Sequence, residues 1–264
     1  MDIQSLLSGL SSLALKDVKY FDTIGSTNEF ALNWAKSGEA DNCLVVSEEQ
    51  TAGKGRMGRK WVTAANASLA FSYILYPNED ESKNIRLFSP LGSLAVAEVL
   101  RQDFGISNVN LKWPNDILID QQKVSGVLVE SAWYGEKAQA VVIGIGINIQ
   151  SSSIPPTDQL LYPATCVEDH SDKTIDRIDF MNRILKSMFA WRARINSEEF
   201  LTAWDEFLAF RGQWVHVQQT NQWSIDGELI GIDKFGNLKI RTDKGSDLCV
   251  AYGDVSLRPI QKPE

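Results

Sequence analysis

The fold is decided by residues 111–149, LKWPNDILIDQQKVSGVLVESAWYGEKAQAVVIGIGINI. Runs rich in β-branched residues alternate here with turn residues, so the segment predicts three consecutive strands, at 111–120, 123–131 and 140–149. Two shorter apolar runs upstream, 43–47 and 68–75, also read as buried strands. The centre of the chain is therefore predicted to be strand-rich.

Helices are predicted on both sides of this region. Residues 86–103 and 176–210 carry apolar side chains at helical spacing, and the second face includes Ile184, Leu185, Met188 and Phe189. Residues 1–20 are predicted as a short helix or arm. Ser26 followed by Glu29 fits a capping box, so a helix is expected from there to Gly38. Its inward side chains are predicted to be Phe30, Leu32 and Trp34.

The tail changes character at Arg211-Gly212. Apolar and polar residues alternate there, and Asp226-Gly227, Phe235-Gly236-Asn237 and Lys244-Gly245 are predicted as turns between strands. This pattern indicates a small β-barrel of roughly 50 residues. The expected domains are residues 1–210 and 211–264.

Composition excludes several classes of protein. The 264 residues are 44% apolar and carry a formal net charge of −8, so the chain is globular and its overall field repels nucleic acid and anionic membranes. The cysteines, Cys43, Cys166 and Cys249, have no metal-type spacing and are predicted to be free thiols in a reducing cytoplasm. No apolar run is long enough to span a membrane, and the N-terminus lacks the features of a signal peptide.

The strongest local signal is the loop Gly53–Trp61, GKGRMGRKW. Its three glycines let the backbone approach a ligand, and its four cationic side chains suit two anions held close together. A solvated basic loop is the alternative. The loop lacks the Lys-Ser/Thr pair of a Walker A motif, and GIGIN at 144–148 lacks the third glycine of a dinucleotide fingerprint.

Two further segments carry polar side chains beside predicted strands. In Lys112–Asp116, KWPND, Pro114 restricts Trp113 to extended backbone and leaves Asn115 and Asp116 at a strand edge, although a plain turn between strands explains the pattern equally well. Lys123 precedes an apolar strand, where a cleft cation could stabilise charge on a phosphate. A surface lysine in a turn is the alternative.

The order of these motifs resembles the biotin–protein ligase family. The series runs Ser26-Thr-Asn28, Gln50, Gly53–Trp61, Lys112–Asp116, Lys123-Val-Ser-Gly126 and Gly144–Asn148, and the resemblance covers roughly residues 20–260. It implies an α/β (α+β) catalytic domain with a mixed sheet and packed helices, followed by a small SH3-like β-barrel. It also implies an ATP-dependent ligase that forms biotinyl-AMP and transfers biotin to a lysine of a biotin carboxyl carrier protein.

The resemblance assigns roles to matching residues. Catalytic roles are expected for Lys123, Arg56 and Asp116. Biotin binding is expected for Ser26, Thr27, Asn28, Gln50, Gly53, Lys54, Arg56, Lys123 and Gly126. Nucleotide binding is expected for Arg56, Arg59, Trp61, Asn115, Lys123 and Asn148. ATP and Mg²⁺ are expected as substrate and activator, with no protein-bound metal site and no prosthetic group.

Some readings stay open at this point. The family often has Arg where this chain has Lys54 and Met57; lysine loses the bidentate fork, and Met57 is expected to pack over the closed loop. A lipoate–protein ligase and a non-catalytic biotin-sensing regulator are the alternative functions. Only about 20 residues precede Tyr20, too few for a helix-turn-helix, so no nucleic-acid partner is expected. A homodimer is left open.

Overall fold

The structure is a computed structural model that describes residues 1–38, 40–219, 223–251 and 255–262. Its helices are α1 (Ile3–Gly9), α2 (Thr27–Ala35), α3 (Glu79–Ser82), α4 (Phe88–Gln102), α5 (Arg177–Arg192) and α6 (Glu198–Glu206). Its strands are β1 (Asp17–Ile24), β2 (Cys43–Gln50), β3 (Ser68–Leu75), β4 (Val109–Lys112), β5 (Asp116–Ile119), β6 (Gln122–Tyr134), β7 (Lys137–Asn148), β8 (Trp214–Gln219), β9 (Ser224–Ile232), β10 (Leu238–Arg241), β11 (Asp247–Val250) and β12 (Val255–Pro259).

Seven strands form one mixed sheet in the order β1-β2-β3-β7-β6-β5-β4. Only β1 and β2 pair in parallel; the other neighbours are antiparallel. The strands predicted at 43–47, 68–75, 123–131 and 140–149 are present, and the predicted fold class is confirmed. The single strand predicted at 111–120 is corrected to two strands, β4 and β5, because residues 113–115 form a turn between them. The prediction of a helix or arm over residues 1–20 was wrong at residues 17–20, because Asp17–Ile24 forms the edge strand β1. Its apolar residues do not alternate regularly with polar ones and none of them is fully buried, so the strand signal is weak.

Helices cover both faces of this sheet. Helices α4 and α5 contribute the large buried core on one face, whereas α2 packs on the other through Ala31 and Ala35. Phe30, Leu32 and Trp34 were expected to point inward but are only half-buried at the rim of that smaller cluster. Small residues face the sheet because the polar N-terminal turn of α2 must reach the strands closely. Gly38 follows the helix at φ 81°, as predicted for its end.

The helical prediction for 176–210 is corrected to two helices. Helix α5 ends at Arg192, and α6 begins after Ser197, whose hydroxyl accepts a hydrogen bond from the amide of Phe200. Residues 193–197 form a turn between the two helices, and Ser197 at its end gives the second helix its N-cap. Within the described residues, no helix is long and apolar enough to cross a membrane.

The tail forms a five-stranded antiparallel sheet in the order β11-β10-β9-β8-β12. The turns at 235–237 and 244–245 are confirmed, with Gly236 and Gly245 at positive φ. The turn predicted at Asp226-Gly227 was wrong, because both residues lie inside β9. Gly227 is needed there because a Cβ would come 2.5 Å from the carbonyl oxygen of Arg241.

Candidate active site

One cavity of about 360 Å³ lies where the Gly53–Trp61 loop faces β6 and β7 of the large sheet. It is lined by 13 of the 14 predicted site residues: Ser26, Thr27, Asn28, Gln50, Lys54, Arg56, Arg59, Trp61, Asn115, Asp116, Lys123, Gly126 and Asn148.

 The exception is Gly53, whereas Lys112 of the KWPND segment lines the cavity although no role was predicted for it. Gly53 lies just behind the cavity wall, where its carbonyl oxygen accepts a hydrogen bond from the amide of Trp61 at 2.9 Å. A Cβ at Gly53 would come 2.3 Å from the carbonyl oxygen of Trp61, so only glycine at this position lets the two ends of the loop approach each other.

One end of the cavity is polar and carries little charge. The side-chain oxygen of Gln50 accepts hydrogen bonds from the amide and the hydroxyl of Thr27, at 2.8 and 3.1 Å. The buried hydroxyl of Ser72 approaches Thr27 Oγ1 at 2.8 Å and donates to Asn28 Oδ1 at 2.7 Å. Ser26 caps α2 through the amide of Glu29, as predicted. This end presents hydroxyl and amide groups held in fixed positions, which suits a neutral ligand with donors and acceptors of its own.

The Gly53–Trp61 loop folds back on itself. Lys54 and Lys60 pair as an isolated antiparallel bridge, and the amide of Gly55 donates to the carbonyl oxygen of Arg59 at 2.7 Å. Lys54 Nζ forms an ion pair with Glu29 Oε2 at 2.9 Å, so it turns toward α2. Met57 was expected to pack over the closed loop, but it lies at the tip with φ 58° and an exposed fraction of 42%. The tight turn directs its side chain into solvent.

Arg56 connects this loop to the KWPND segment. Its guanidinium donates to Asn115 Oδ1 at 3.1 Å, while Asn115 Nδ2 donates to the carbonyl oxygen of Val127 at 2.9 Å. Residues 113–115 form the turn between β4 and β5, with a cis Trp113-Pro114 peptide bond, so the turn reading of this segment is confirmed. The turn also carries Asn115 into the cavity wall, and the two alternatives therefore hold together.

A cluster of charges occupies the other end of the cavity. Lys123 Nζ lies 2.6 Å from Asp116 Oδ1, and Lys112 Nζ lies 3.6 Å from Asp116 Oδ2. The surface-turn alternative for Lys123 is wrong, since its side chain is 25% exposed and faces this cavity.

Burial and neighbouring charges set the protonation of the cluster. Burial alone would raise the pKa of Asp116, but the ammonium groups of Lys123 and Lys112 hold it below the usual value of 3.8. Burial, with a smaller effect of the nearby cations Arg258, Lys123 and Arg59, lowers the pKa of Lys112 to about 8 against the attraction of Asp116. Positive charge is in excess here, which suits an anionic ligand.

Trp61 lies between the polar end and the charged end of the cavity. Its indole packs on Gly146 of β7, where a Cβ would come 2.4 Å from the ring, and Lys123 Nζ lies 5.5 Å from the ring centroid. Trp61 Nε1 is buried and finds no hydrogen-bond partner among the described residues. The indole therefore forms an apolar wall between the polar end and the charged end.

Gly126 and Asn148 complete the wall. A Cβ at Gly126 would come 3.1 Å from Lys123 Nζ, so glycine leaves the room that the ammonium group occupies. Asn148 is buried and donates to the carbonyl oxygen of Thr165 at 3.1 Å. The main chain of Thr165 in turn donates to the carbonyl oxygen of Lys123 at 2.9 Å, which fixes the backbone of that lysine.

Sequence reasoning assigned no role to several residues of the cavity, among them two that lie at its cationic end. Arg258 reaches it from β12 of the C-terminal sheet, and Tyr162 reaches it from the loop that follows β7. The resemblance extends to roughly residue 260, so a lone arginine near the end of the chain was a usable signal. Tyr162 had none, because it lies in a segment without periodicity.

Comparisons with known proteins agree with this arrangement. A cavity with one polar and one cationic end can hold a neutral group and an anionic group side by side. Residues 20–148 match the model of the biotin/lipoate A/B protein ligase family. The chain is 33% identical over 230 residues, 86% of its length, to the bifunctional ligase/repressor BirA of Bacillus spizizenii, of which it covers 70%. It is 30% identical to the biotin–[acetyl-CoA-carboxylase] ligase of Paracoccus denitrificans, of which it covers 95%.

The solved structures give the same result. The biotin protein ligase from Aquifex aeolicus in complex with biotin and ATP matches with a TM-score of 0.80 and 28% identity, over 93% of this chain and 100% of that chain. The chain belongs to the biotin/lipoate A/B protein ligase family.

Proposed function

We propose that this protein is an ATP-dependent biotin–protein ligase. It joins biotin to ATP as biotinyl-AMP and then transfers the biotinyl group to a lysine of a biotin carboxyl carrier protein. The observation that carries the proposal is the division of one cavity into a neutral polar end at Thr27 and Gln50 and a cationic end around Asp116. The related ligases named for biotin, and the Aquifex structure with biotin and ATP, support the same assignment.

Biotin would lie with its ureido ring at the polar end. Ser26, Thr27, Asn28 and Gln50 supply the hydrogen-bonding groups, and the wall of Trp61 suits the apolar chain of the vitamin. This orientation directs the biotin carboxylate toward the cationic end. Lys54, Gly53 and Gly126 contribute to this part of the site as the loop closes over the ligand.

The first half-reaction joins two anions, so positioning and charge neutralisation supply most of the catalysis. A carboxylate oxygen of biotin attacks the α-phosphorus of ATP, and the bond to pyrophosphate breaks. Lys123 and Arg56 would neutralise the charge that grows on the phosphate oxygens. Arg59, Trp61, Asn115 and Asn148 would hold the nucleotide.

Mg²⁺ would enter this site with the phosphates of ATP. Asp116 is the only carboxylate among the residues that line the cavity, and it is already held by Lys123, so the described residues offer no separate cage for a metal. Mg²⁺ commonly keeps several waters and binds through substrate phosphates, where it neutralises their charge. Binding of Mg²⁺ through the phosphates of ATP is compatible with a cavity whose own charged side chains are mostly cationic.

The second half-reaction needs an uncharged lysine amine. The amine nitrogen attacks the carbonyl carbon of biotinyl-AMP, an amide bond forms, and AMP leaves with the electrons of the broken anhydride bond. The low pKa of Asp116, which its two lysine neighbours cause, keeps this group a carboxylate at neutral pH. Asp116 would therefore orient the incoming amine by accepting a hydrogen bond, and solvent would take up the proton.

The experiment is a transfer assay. The protein is incubated with ATP, biotin and a biotin carboxyl carrier domain, and mass spectrometry should show one added biotinyl group on the carrier. Lipoate in place of biotin should give no addition, and its addition at a comparable rate would favour the lipoate ligase instead. No addition from either acid, together with no release of pyrophosphate, would leave only a non-catalytic binding protein.

A further inference from the structure

We propose that Tyr162 is a positioning residue at the cationic end of the cavity. The face of its ring holds Lys112 and Arg258 in place without neutralising their charge. The inference rests on the proposed function, since it names what prepares the cavity for a polyphosphate. Tyr162 lies outside every motif of the sequence and comes from the loop between β7 and α5.

The geometry places two cations close to one aromatic ring. Lys112 Nζ lies 4.3 Å from the centroid of the Tyr162 ring, and the guanidinium carbon of Arg258 lies 5.1 Å from it. Both distances fall within the range in which the negative face of an aromatic ring attracts a cation. The two cations come from different parts of the chain, Lys112 from β4 and Arg258 from β12. Tyr162 therefore links the end of the large sheet to the C-terminal sheet.

Charge balance explains why an aromatic ring suits this position. Lys112, Lys123, Arg59 and Arg258 all act on one another at this end of the cavity, against the single carboxylate of Asp116. A second carboxylate would hold the cations equally well, but it would cancel the charge that must attract a polyphosphate. A neutral ring stabilises cations through its quadrupole and leaves their net charge available.

The ring also favours the charged form of Lys112. Burial together with Arg258, Lys123 and Arg59 holds the pKa of this lysine at about 8, while Asp116 raises it. At neutral pH the ammonium form still dominates, but by a narrow margin. Removing the ring should lower the pKa of Lys112 further, so that the lysine loses charge closer to neutral pH.

The test compares Tyr162→Leu with Tyr162→Phe. Leucine removes the ring, whereas phenylalanine keeps the ring face and loses only the hydroxyl. Biotin-dependent exchange of pyrophosphate into ATP is measured while ATP and biotin are varied separately. We expect Tyr162→Leu to raise KM for ATP about tenfold, which equals about 1.4 kcal/mol, and to change KM for biotin less than twofold. Tyr162→Phe should recover most of the affinity for ATP.

The pH dependence gives a readout that a merely structural role would not move. Between pH 7 and 9, KM for ATP should increase with pH as Lys112 loses its charge. This increase should begin at a lower pH in Tyr162→Leu than in the unaltered protein. The matched control is Tyr134→Leu, the same change at a tyrosine that is 78% exposed at the tip of the β6–β7 hairpin. It should leave both KM values and their pH profiles unchanged.

The outcomes separate the inference from the proposed function. If the unaltered protein exchanges pyrophosphate but the leucine and phenylalanine variants of Tyr162 have the same KM for ATP, the inference is overturned. If the unaltered protein shows no exchange, the proposed function fails; binding of inorganic triphosphate, measured by calorimetry, then tests the inference by itself. Weaker triphosphate binding in Tyr162→Leu than in Tyr162→Phe supports it, and equal binding overturns it. If Tyr162→Leu folds but is inactive, calorimetry still measures its binding of triphosphate. If Tyr162→Leu does not fold, Tyr162→Met is measured in its place.

Discussion

Replacing Lys123 with glutamine should remove adenylate formation and leave the fold in place. Glutamine is one bond shorter than lysine; it keeps a polar hydrogen-bonding end group but carries no charge. Lys123 Nζ lies 2.6 Å from Asp116 Oδ1 at the cationic end of the cavity, so the change removes a cation from the position proposed for the α-phosphate. It adds no bulk to the cavity wall.

The size of the effect follows from the position of the charge. A cation in contact with a developing negative charge in a partly buried site is worth about 3–4 kcal/mol. The rate of adenylate formation should therefore fall by roughly 10²–10³-fold. KM for biotin should change far less, because the polar end of the cavity at Thr27 and Gln50 is untouched.

Stability should change in a pH-dependent way. Lys112 Nζ remains 3.6 Å from Asp116 Oδ2, so the carboxylate keeps one cation and the loss should stay near 1–2 kcal/mol at pH 7, below the roughly 3–5 kcal/mol of a fully orphaned buried charge. The pKa of Asp116 is lowered in the folded state, so its contribution to stability is present above the ordinary value of 3.8 and is lost as the pH falls through the lower folded value. The stability difference between the two proteins should therefore shrink below about pH 4.

The assay measures single-turnover formation of biotinyl-AMP, and urea unfolding at pH 7 and pH 3.5 measures stability. Lys137→Gln is the matched control, since Lys137 is an exposed lysine at the start of β7, outside the cavity. It should behave like the unaltered protein in both measurements. An adenylation rate in folded Lys123→Gln within threefold of that of the unaltered protein would refute the reasoning.

Three other changes test separate parts of the site. Lys112→Met should raise the free energy of unfolding by roughly 1–3 kcal/mol at pH 7, because a buried ammonium with a lowered pKa is costly; the gain should disappear between pH 8 and 10.5, and urea unfolding that shows no such trend would contradict it. Gly146→Ala should lower adenylate affinity at least tenfold by displacing Trp61, from which the new Cβ would lie 2.4 Å, and unchanged binding in a fluorescence titration of Trp61 would contradict it. Arg56→Gly should release biotinyl-AMP from the loop, so that lysines of a bystander protein become biotinylated; labelling no higher than with the unaltered protein would argue against this role.

Much of the fold could be predicted because its signals are local. The strands β3 and β7 are apolar runs bounded by turn residues, and α4 has a strong helical period, so each is visible without its neighbours. The edge strand β1 was missed because none of its residues is fully buried and its apolar residues do not alternate regularly with polar ones. The helix α2 was placed correctly but its buried face was not, since propensity does not reveal which side must approach a sheet closely.

The candidate site divides in the same way. The loop Gly53–Trp61 and the KWPND turn were found from glycine spacing and charge, which are properties of short segments. The ion pair of Lys54 with Glu29 and the exposure of Met57 depend on the path of the loop in space. Neither the ion pair nor the exposure could be predicted from residue types alone.

The sequence by itself determined the chemistry that this protein can offer: hydroxyl and amide groups for a neutral ligand, and glycines and cations for anions. Tertiary structure alone decided which of these groups meet. Lys123 lies in the cavity rather than on the surface because β5 pairs with β6, and this pairing brings Asp116 of β5 beside Lys123 of β6. Tyr162 and Arg258, about a hundred residues apart, share one cation cluster only because the C-terminal sheet lies against the end of the large sheet. Contacts between distant segments depend on the packing of whole elements, which no local pattern records.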